Sequence, residues 1–286
     1  MLRGVTEPAP VTTRPAAPTP PGTDRPVAAF FDLDKTIIAK SSTLAFSRPF
    51  FHEGLINRRA VLKSTYAQFL FLLAGADSDQ IERMRANITS LCAGWDVLQV
   101  RSIVEETLHD VVDPLVYVEA AELIADHKAR GHEVVVVSAS GEEMVTPIAQ
   151  MVGADLSVAT SMVAEDGCYT GEVSFYCYGD GKADAIRALA EARGYDLSAC
   201  YAYSDSATDL PMLSAVGHPT AVNPDRALRK ESTQRGWPML TFSAPVSLRA
   251  RIPTASSSAV ATAAVGLGAA AAGATWYGIA RRRRLH

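Results

Sequence analysis

Three short apolar runs, each broken off by a polar or acidic turn, limit what this chain can fold into more than any other feature. Val27-Ala28-Ala29-Phe30-Phe31 stops at Asp32-Leu33-Asp34. Val134-Val135-Val136-Val137 is β-branched throughout and stops at Ser138-Ala139-Ser140-Gly141. Ala199-Cys200-Tyr201-Ala202-Tyr203 stops at Ser204-Asp205, and a weaker run, Pro219-Thr220-Ala221-Val222, stops at Asn223-Pro224. Continuous apolar runs of this length fit strands buried on both faces of a parallel sheet, although periodicity alone also admits short buried helices. Helical patterns lie between them. Glu119 to Arg130 ends at Gly131, and Lys182 to Arg193 ends at Gly194, each glycine standing where a helix C-terminus favours a left-handed residue. Strand and helix in alternation predict an α/β chain with right-handed crossovers. In such sheets ligands bind beyond the carboxyl ends of the strands, where Asp32, Ser138 and Asp205 all fall.

The interval from about 41 to 113 breaks the alternation. Apolar residues recur at helical spacing through Val61, Thr65, Phe69 and Leu72, and no strand-like run interrupts them. It reads as three or four helices inserted over the ligand edge of the sheet. Ser161 to Val173 reads as a hairpin around Asp166-Gly167. Residues 1–26 are dominated by Pro, Thr and Ala and hold too little apolar surface to offset the entropy of ordering, so disorder is expected there. They lack the apolar core of a secretory signal, which points to a cytoplasmic catalytic domain over 27–242. The net charge of −4 supplies no basic field for nucleic acid. The four cysteines, Cys92, Cys168, Cys177 and Cys200, form no C-x-x-C pair. They read as reduced thiols, a Cys168–Cys177 bridge being the alternative that proximity suggests.

Chemistry gathers at the strand ends. Asp32 and Asp34 converge on the crevice, either on a continuing strand or with the second in a turn. Like charges at short range resist joint ionisation, and a divalent cation or a shared proton resolves the conflict. An all-oxygen site of this kind suits Mg²⁺, which takes one or two carboxylates plus phosphate and water. Ser138 offers a hydroxyl, and the backbone N–H groups after it can meet a phosphate at a helix N-terminus. The plainer alternative makes Ser138 or Ser140 a helix cap. Lys182 opens a helix whose dipole opposes it, which a bound phosphate would explain, a solvated surface lysine being the alternative. Asp205 and Asp209 add carboxylates to the same edge.

Taken in order, Asp32-Leu33-Asp34-Lys35-Thr36, the strand ending at Ser138, Lys182, and Asp205 through Asp209 followed by Pro211-Met212-Leu213 resemble the haloacid dehalogenase superfamily, in particular its phosphoserine-phosphatase-like branch. The resemblance spans roughly 27 to 237. It implies a Rossmann-like parallel sheet core with a helical cap inserted after the first strand. It also implies a Mg²⁺-dependent phosphomonoester hydrolase acting on a small phosphorylated metabolite. Asp32 would be the nucleophile, forming an aspartyl-phosphate, and Asp34 the acid and then the base. Ser138 and Lys182 would hold phosphoryl oxygens. Mg²⁺ would sit among Asp32, the backbone carbonyl of Asp34, and Asp205, with Thr36 and Asp209 in support.

The sequence departs from phosphoserine phosphatases at three places. Ser41 stands where they carry a glutamate that reads the substrate amino group, Thr208 replaces an asparagine, and Ala139-Ser140 replaces Gly-Gly. Reaction type survives these changes; phosphoserine as the substrate does not follow. Asp34-Lys35-Thr36 is superficially similar to the phosphorylated motif of ion-pumping ATPases, but Ile37-Ile38 follow in place of Gly-Thr. A catalytically weak adaptor that binds a phosphorylated ligand at a membrane is the other alternative, although binding alone does not need Asp34.

The last residues change character. A Ser/Pro/Arg linker over 243–258 leads to an uncharged apolar run over 259–280 and a basic tail, Arg281-Arg282-Arg283-Arg284-Leu285-His286. At about 1.5 Å per residue the run is long enough to cross a hydrocarbon core. Its Ala and Gly content makes insertion marginal. It is a candidate for membrane contact, attaching the domain to the inner face, with a flexible tail whose arginines touch anionic lipid as the alternative.

Overall fold

The computed structural model describes residues 26–56, 92–243 and 245. The sequence readings for 1–25, for 57–91 (Val61, Thr65, Phe69 and Leu72 among them) and for the 259–280 run and basic tail lie outside these residues. No helix among the described residues is long and apolar enough to cross a membrane.

A seven-stranded, mostly parallel sheet forms the centre, in the order β4-β3-β2-β1-β5-β6-β7. Its strands are β1 (Ala28–Phe31), β2 (Glu133–Gly141), β3 (Leu156–Glu165), β4 (Cys168–Phe175), β5 (Tyr201–Ser204), β6 (His218–Val222) and β7 (Met239–Leu240). The helices are α1 (Ser42–His52), α2 (Val97–Val111), α3 (Val118–Ala129), α4 (Glu142–Met151), α5 (Asp180–Arg193), α6 (Leu210–Ser214) and α7 (Arg226–Arg235). All four residues of β1 are fully buried, because the strand lies between β2 and β5 and is covered on both faces. Side chains alternate across it. Phe30 joins Val135, Val137, Ile186, Met212 and Leu228 in the core beneath α5, α6 and α7. Phe31 points the other way, stacking on Tyr203 at 4.5 Å and meeting His127 of α3 edge-on. Each buried phenylalanine contributes roughly 1.5–3 kcal/mol.

The chain winds outward from β1 through β2 and β3 to β4, then crosses back to place β5 on the other side of β1. The strand order therefore reverses between β1 and β5, and the crevice beyond their carboxyl ends is where such sheets bind ligands. Asp32 and Asp205 are the first residues past those two ends.

Several boundaries differ from the sequence expectation. β5 starts at Tyr201 rather than Ala199, because the amides of Ala199 and Cys200 turn back to Asp196 and Leu197. β2 does not stop at Ser138. It continues to Gly141 with its register against β3 shifting between Ser138 and Gly141. The first half of β3 and all of β7 have no strand-like signal in the sequence. The hairpin stands as expected: β3 and β4 pair antiparallel, with Asp166 and Gly167 both at positive φ (48° and 81°), as a two-residue turn of this hand requires. None of the four cysteines is in a disulfide, which corrects the Cys168–Cys177 alternative: Cys168 pairs within the hairpin while Cys177 is buried in the core.

In the interval after β1, α1 and α2 pack on each other and on α4. Phe46, Phe50 and Trp95 form a chain of ring contacts between them.

Candidate active site

The backbone past β1 turns sharply. The carbonyl of Leu33 accepts from the amides of Thr36, Ile37 and Ile38, and Lys35 takes a positive φ of 61° within that turn. The amide of Asp32 still donates to the Tyr203 carbonyl at 2.9 Å, so Asp32 is held as an extension of the sheet. Asp34 lies in the turn, which settles the choice left open by its spacing. Thr36 is fully buried, and its hydroxyl has no hydrogen-bond partner among the described residues.

Lys182 is the third residue of α5 and is 2% exposed. Its ammonium donates to Asp32 Oδ1 at 2.5 Å and to Asp209 Oδ2 at 2.8 Å, and Ser204 Oγ donates to the same Asp209 oxygen at 2.7 Å. Three of the residues singled out from sequence are thus in direct contact, from positions 150 and 27 residues apart. Burial works against the Lys182 ammonium, but Asp32 and Asp209 outweigh it and hold its pKa above the ordinary lysine range. Burial also pushes the Asp32 carboxyl up to about 8; Lys182 opposes that shift, while Asp209, Asp205 and Asp34 add to it. Asp205 is buried past the end of β5, with Lys35 Nζ 3.9 Å from its Oδ2. Burial raises its carboxyl to about 6 against the pull of Lys35.

Ser138 is buried in β2. Phe31 is level with Val136, so Ser138 lies one residue further along the sheet than Asp32. It caps no helix: the residue before α4 is Gly141, which offers no side chain, and this corrects the capping alternative for both Ser138 and Ser140. Asp34 is held by other partners. Its Oδ1 accepts from the amide of Ser42, the first residue of α1, at 2.9 Å, and its Oδ2 from Ser140 Oγ at 3.3 Å. Ser41 precedes α1 without making a side-chain cap bond. Thr208 donates to Ser206 Oγ at 3.0 Å.

Sequence reasoning passed over Lys35, Ser42 and Ser140 as parts of the site. Lys35 was within the quoted motif, and its charge was the available signal. The partners of Asp34 lie 8 and 106 residues away, and no spacing rule connects them.

Two buried carboxylates, Asp32 and Asp205, with raised pKa values and oxygen donors only, fit a hard divalent cation that takes its other ligands from phosphate and water. No group of three or more His, Cys, Asp or Glu side chains among the described residues is arranged to hold a metal unaided. The arrangement as a whole can present a carboxylate to an electrophile beside a fixed ammonium, with a second carboxylate in the adjoining turn.

The chain is similar to several known proteins. The chain is 67% identical over 273 residues to a probable phosphatase of Mycobacterium tuberculosis (strain ATCC 25618 / H37Rv), covering 94% of this chain and 95% of that one. It is 62% identical over 262 residues to the inhibition of morphological differentiation protein of Streptomyces azureus, covering 90% and 94%. A solved phosphoserine phosphatase, captured as an analogue of its phospho-aspartyl intermediate, shares the fold with a TM-score of 0.57 at 18% identity, over 78% of this chain and 96% of that one. The family model for haloacid dehalogenase-like hydrolases matches residues 29–214, from within β1 to the last residue of α6. This chain belongs to the haloacid dehalogenase-like hydrolase family.

Proposed function

We propose that the protein is a Mg²⁺-dependent phosphatase that hydrolyses a small phosphomonoester through an aspartyl-phosphate on Asp32. The observation that carries this reading is the buried contact of Asp32 with Lys182 at the point where the strand order reverses, beside the second buried carboxylate, Asp205. The probable-phosphatase relative, similar over nearly the whole chain, supports it.

In this reading an Asp32 carboxylate oxygen attacks phosphorus. The bond from phosphorus to the ester oxygen breaks, and Asp34 gives that oxygen its proton. Asp34, now a carboxylate, takes a proton from water as the water attacks phosphorus. The Asp32–phosphorus bond then breaks and inorganic phosphate leaves. The Ser138 hydroxyl and the Lys182 ammonium hold phosphoryl oxygens, Asp209 keeps Lys182 aimed, and Thr36 supports the turn. Mg²⁺, held by Asp32, Asp205 and the backbone carbonyl of Asp34, would supply charge neutralisation for the phosphoryl oxygens. Ser41 and Thr208 replace residues with which the phosphoserine-specific branch reads its substrate, so the substrate is set here at the level of small phosphomonoesters, without singling out phosphoserine.

The test is phosphate release from a panel of small phosphomonoesters, with Mg²⁺ and with a chelator. Wild-type protein should turn over in Mg²⁺ only, and Asp32→Asn should abolish turnover while the far-ultraviolet spectrum stays unchanged. Full activity in Asp32→Asn would overturn the reading.

A further inference from the structure

The serine at position 140 does more than follow the phosphate-holding strand. β2 shifts register between Ser138 and Gly141, and such a bulge re-aims a side chain. Here the 9%-exposed Ser140 directs its hydroxyl to Asp34 Oδ2 at 3.3 Å. A serine has a single O–H to donate. Ser42 Oγ donates to Ser140 Oγ at 2.8 Å, which leaves the Ser140 hydrogen for Asp34. Thr43 Oγ1 lies 3.4 Å from the same oxygen. The Ser140 amide meanwhile donates to Ser138 Oγ at 3.2 Å.

One residue therefore joins three parts: the hydroxyl proposed to hold phosphate, the carboxyl proposed to move protons, and the first turn of α1. Asp34 is fixed at both oxygens, by the leading amide of α1 and by Ser140. A carboxyl held at one oxygen alone can rotate away from a leaving group; held at both it keeps one orientation.

We propose that Ser140 is a positioning residue for Asp34, oriented by Ser42, and that through this pair the placement of α1 sets the aim of the proton donor. The inference rests on the reading of Asp34 as acid and base. It concerns proton delivery, so its signature is dependence on the leaving group. 2,4-Dinitrophenyl phosphate releases a stable anion that needs no proton, whereas an alkyl phosphate releases an alkoxide that does.

The experiment measures kcat/KM along a series from 2,4-dinitrophenyl through phenyl to alkyl phosphates, for wild type, Asp34→Asn, Ser140→Ala, Ser140→Gly, Ser42→Ala and the Ser140→Ala/Asp34→Asn double variant. Ser140→Ala and Ser140→Gly should each lower the alkyl phosphate value about ten-fold, the upper end of the scale for one hydrogen bond between neutral groups. The dinitrophenyl value should stay within about two-fold of wild type. Ser42→Ala, which leaves β2 untouched, should show the same pattern to a smaller degree. In the Asp34→Asn background Ser140→Ala should add nothing. A loss in Ser140→Ala that is equal along the series, or that adds to Asp34→Asn, overturns this inference and leaves the acid–base reading standing. An Asp34→Asn variant whose loss is itself independent of leaving group overturns the acid–base reading.

Discussion

Lys182 keeps its charge at 2% exposure because two carboxylates face it, and each of the three groups depends on the others. Removing one partner of a buried ion pair leaves an uncompensated charge, which costs about 3–5 kcal/mol. Lys182→Met should accordingly lower the urea midpoint by an amount equivalent to about 3 kcal/mol as well as abolishing turnover; an unchanged midpoint would mean that the triad is not a stability element. Away from the site, His127 is buried against Tyr203, with Nε2 2.8 Å from the phenol oxygen and Nδ1 2.8 Å from His132 Nδ1. Burial, helped by His132 and Arg130, lowers its pKa from 6.5 to about 4. The unfolded chain thus takes up a proton near pH 6.5, and the folded chain does so only near pH 4. Between those values the unfolded state binds more protons, so this group's contribution to stability is complete above pH 6.5 and is lost as pH falls toward 4. Urea titrations of wild type and His127→Gln across this window should show a shallower pH dependence in the variant. At this scale the sequence was informative about identity and silent about contact: Asp32, Asp205 and Lys182 stood out by type and order, while Ser42 and Ser140 are ordinary serines until the fold brings Asp34 between them.

Helix α5 shows how an element's end serves the site. Its second residue, Gly181, packs so close to the chain before it that an added Cβ would lie 2.3 Å from the Tyr176 carbonyl oxygen. Backbone cannot yield as a side-chain tip does, so Gly181→Ala must move either the Tyr176 segment or the first turn of α5, which carries Lys182. The expected loss is about 1–3 kcal/mol of stability, with a proportionally larger fall in kcat; thermal unfolding and steady-state kinetics on the same preparation test both. The sequence marked the far end of this helix correctly, since Gly194 adopts the left-handed φ of 76° that ends it. It marked β1, β2 and the β3–β4 turn for the same reason: period, β-branching and positive-φ residues are local properties. It could not show the β2 bulge, the early half of β3 or the two-residue β7, because their strand character comes from neighbours in the sheet.

Over the whole molecule, protons and the proposed Mg²⁺ would compete for the same carboxylate oxygens. Added Mg²⁺ should stabilise the fold by mass action, by about 2.7 kcal/mol at a concentration one hundred times its dissociation constant. That increment should be complete only above about pH 8 and shrink as pH falls through 8 and then 6, as Asp32, raised to about 8, and Asp205, raised to about 6, take up protons instead. Thermal shift measured against Mg²⁺ at several pH values tests this, and Asp205→Asn should remove the increment at each of them. What the sequence determined by itself was the class of sheet, the order of its strand-end motifs and the family, because apolar runs and motif order survive in one dimension. Only the tertiary structure decided how these parts meet. It placed β5 beside β1, so that Asp32 and Asp205 share one crevice and Lys182 reaches Asp32 across 150 residues. It also set Asp34 between α1 and the β2 bulge. Those contacts depend on strand order and on a register shift, which arise from packing the whole sheet rather than from any stretch of chain.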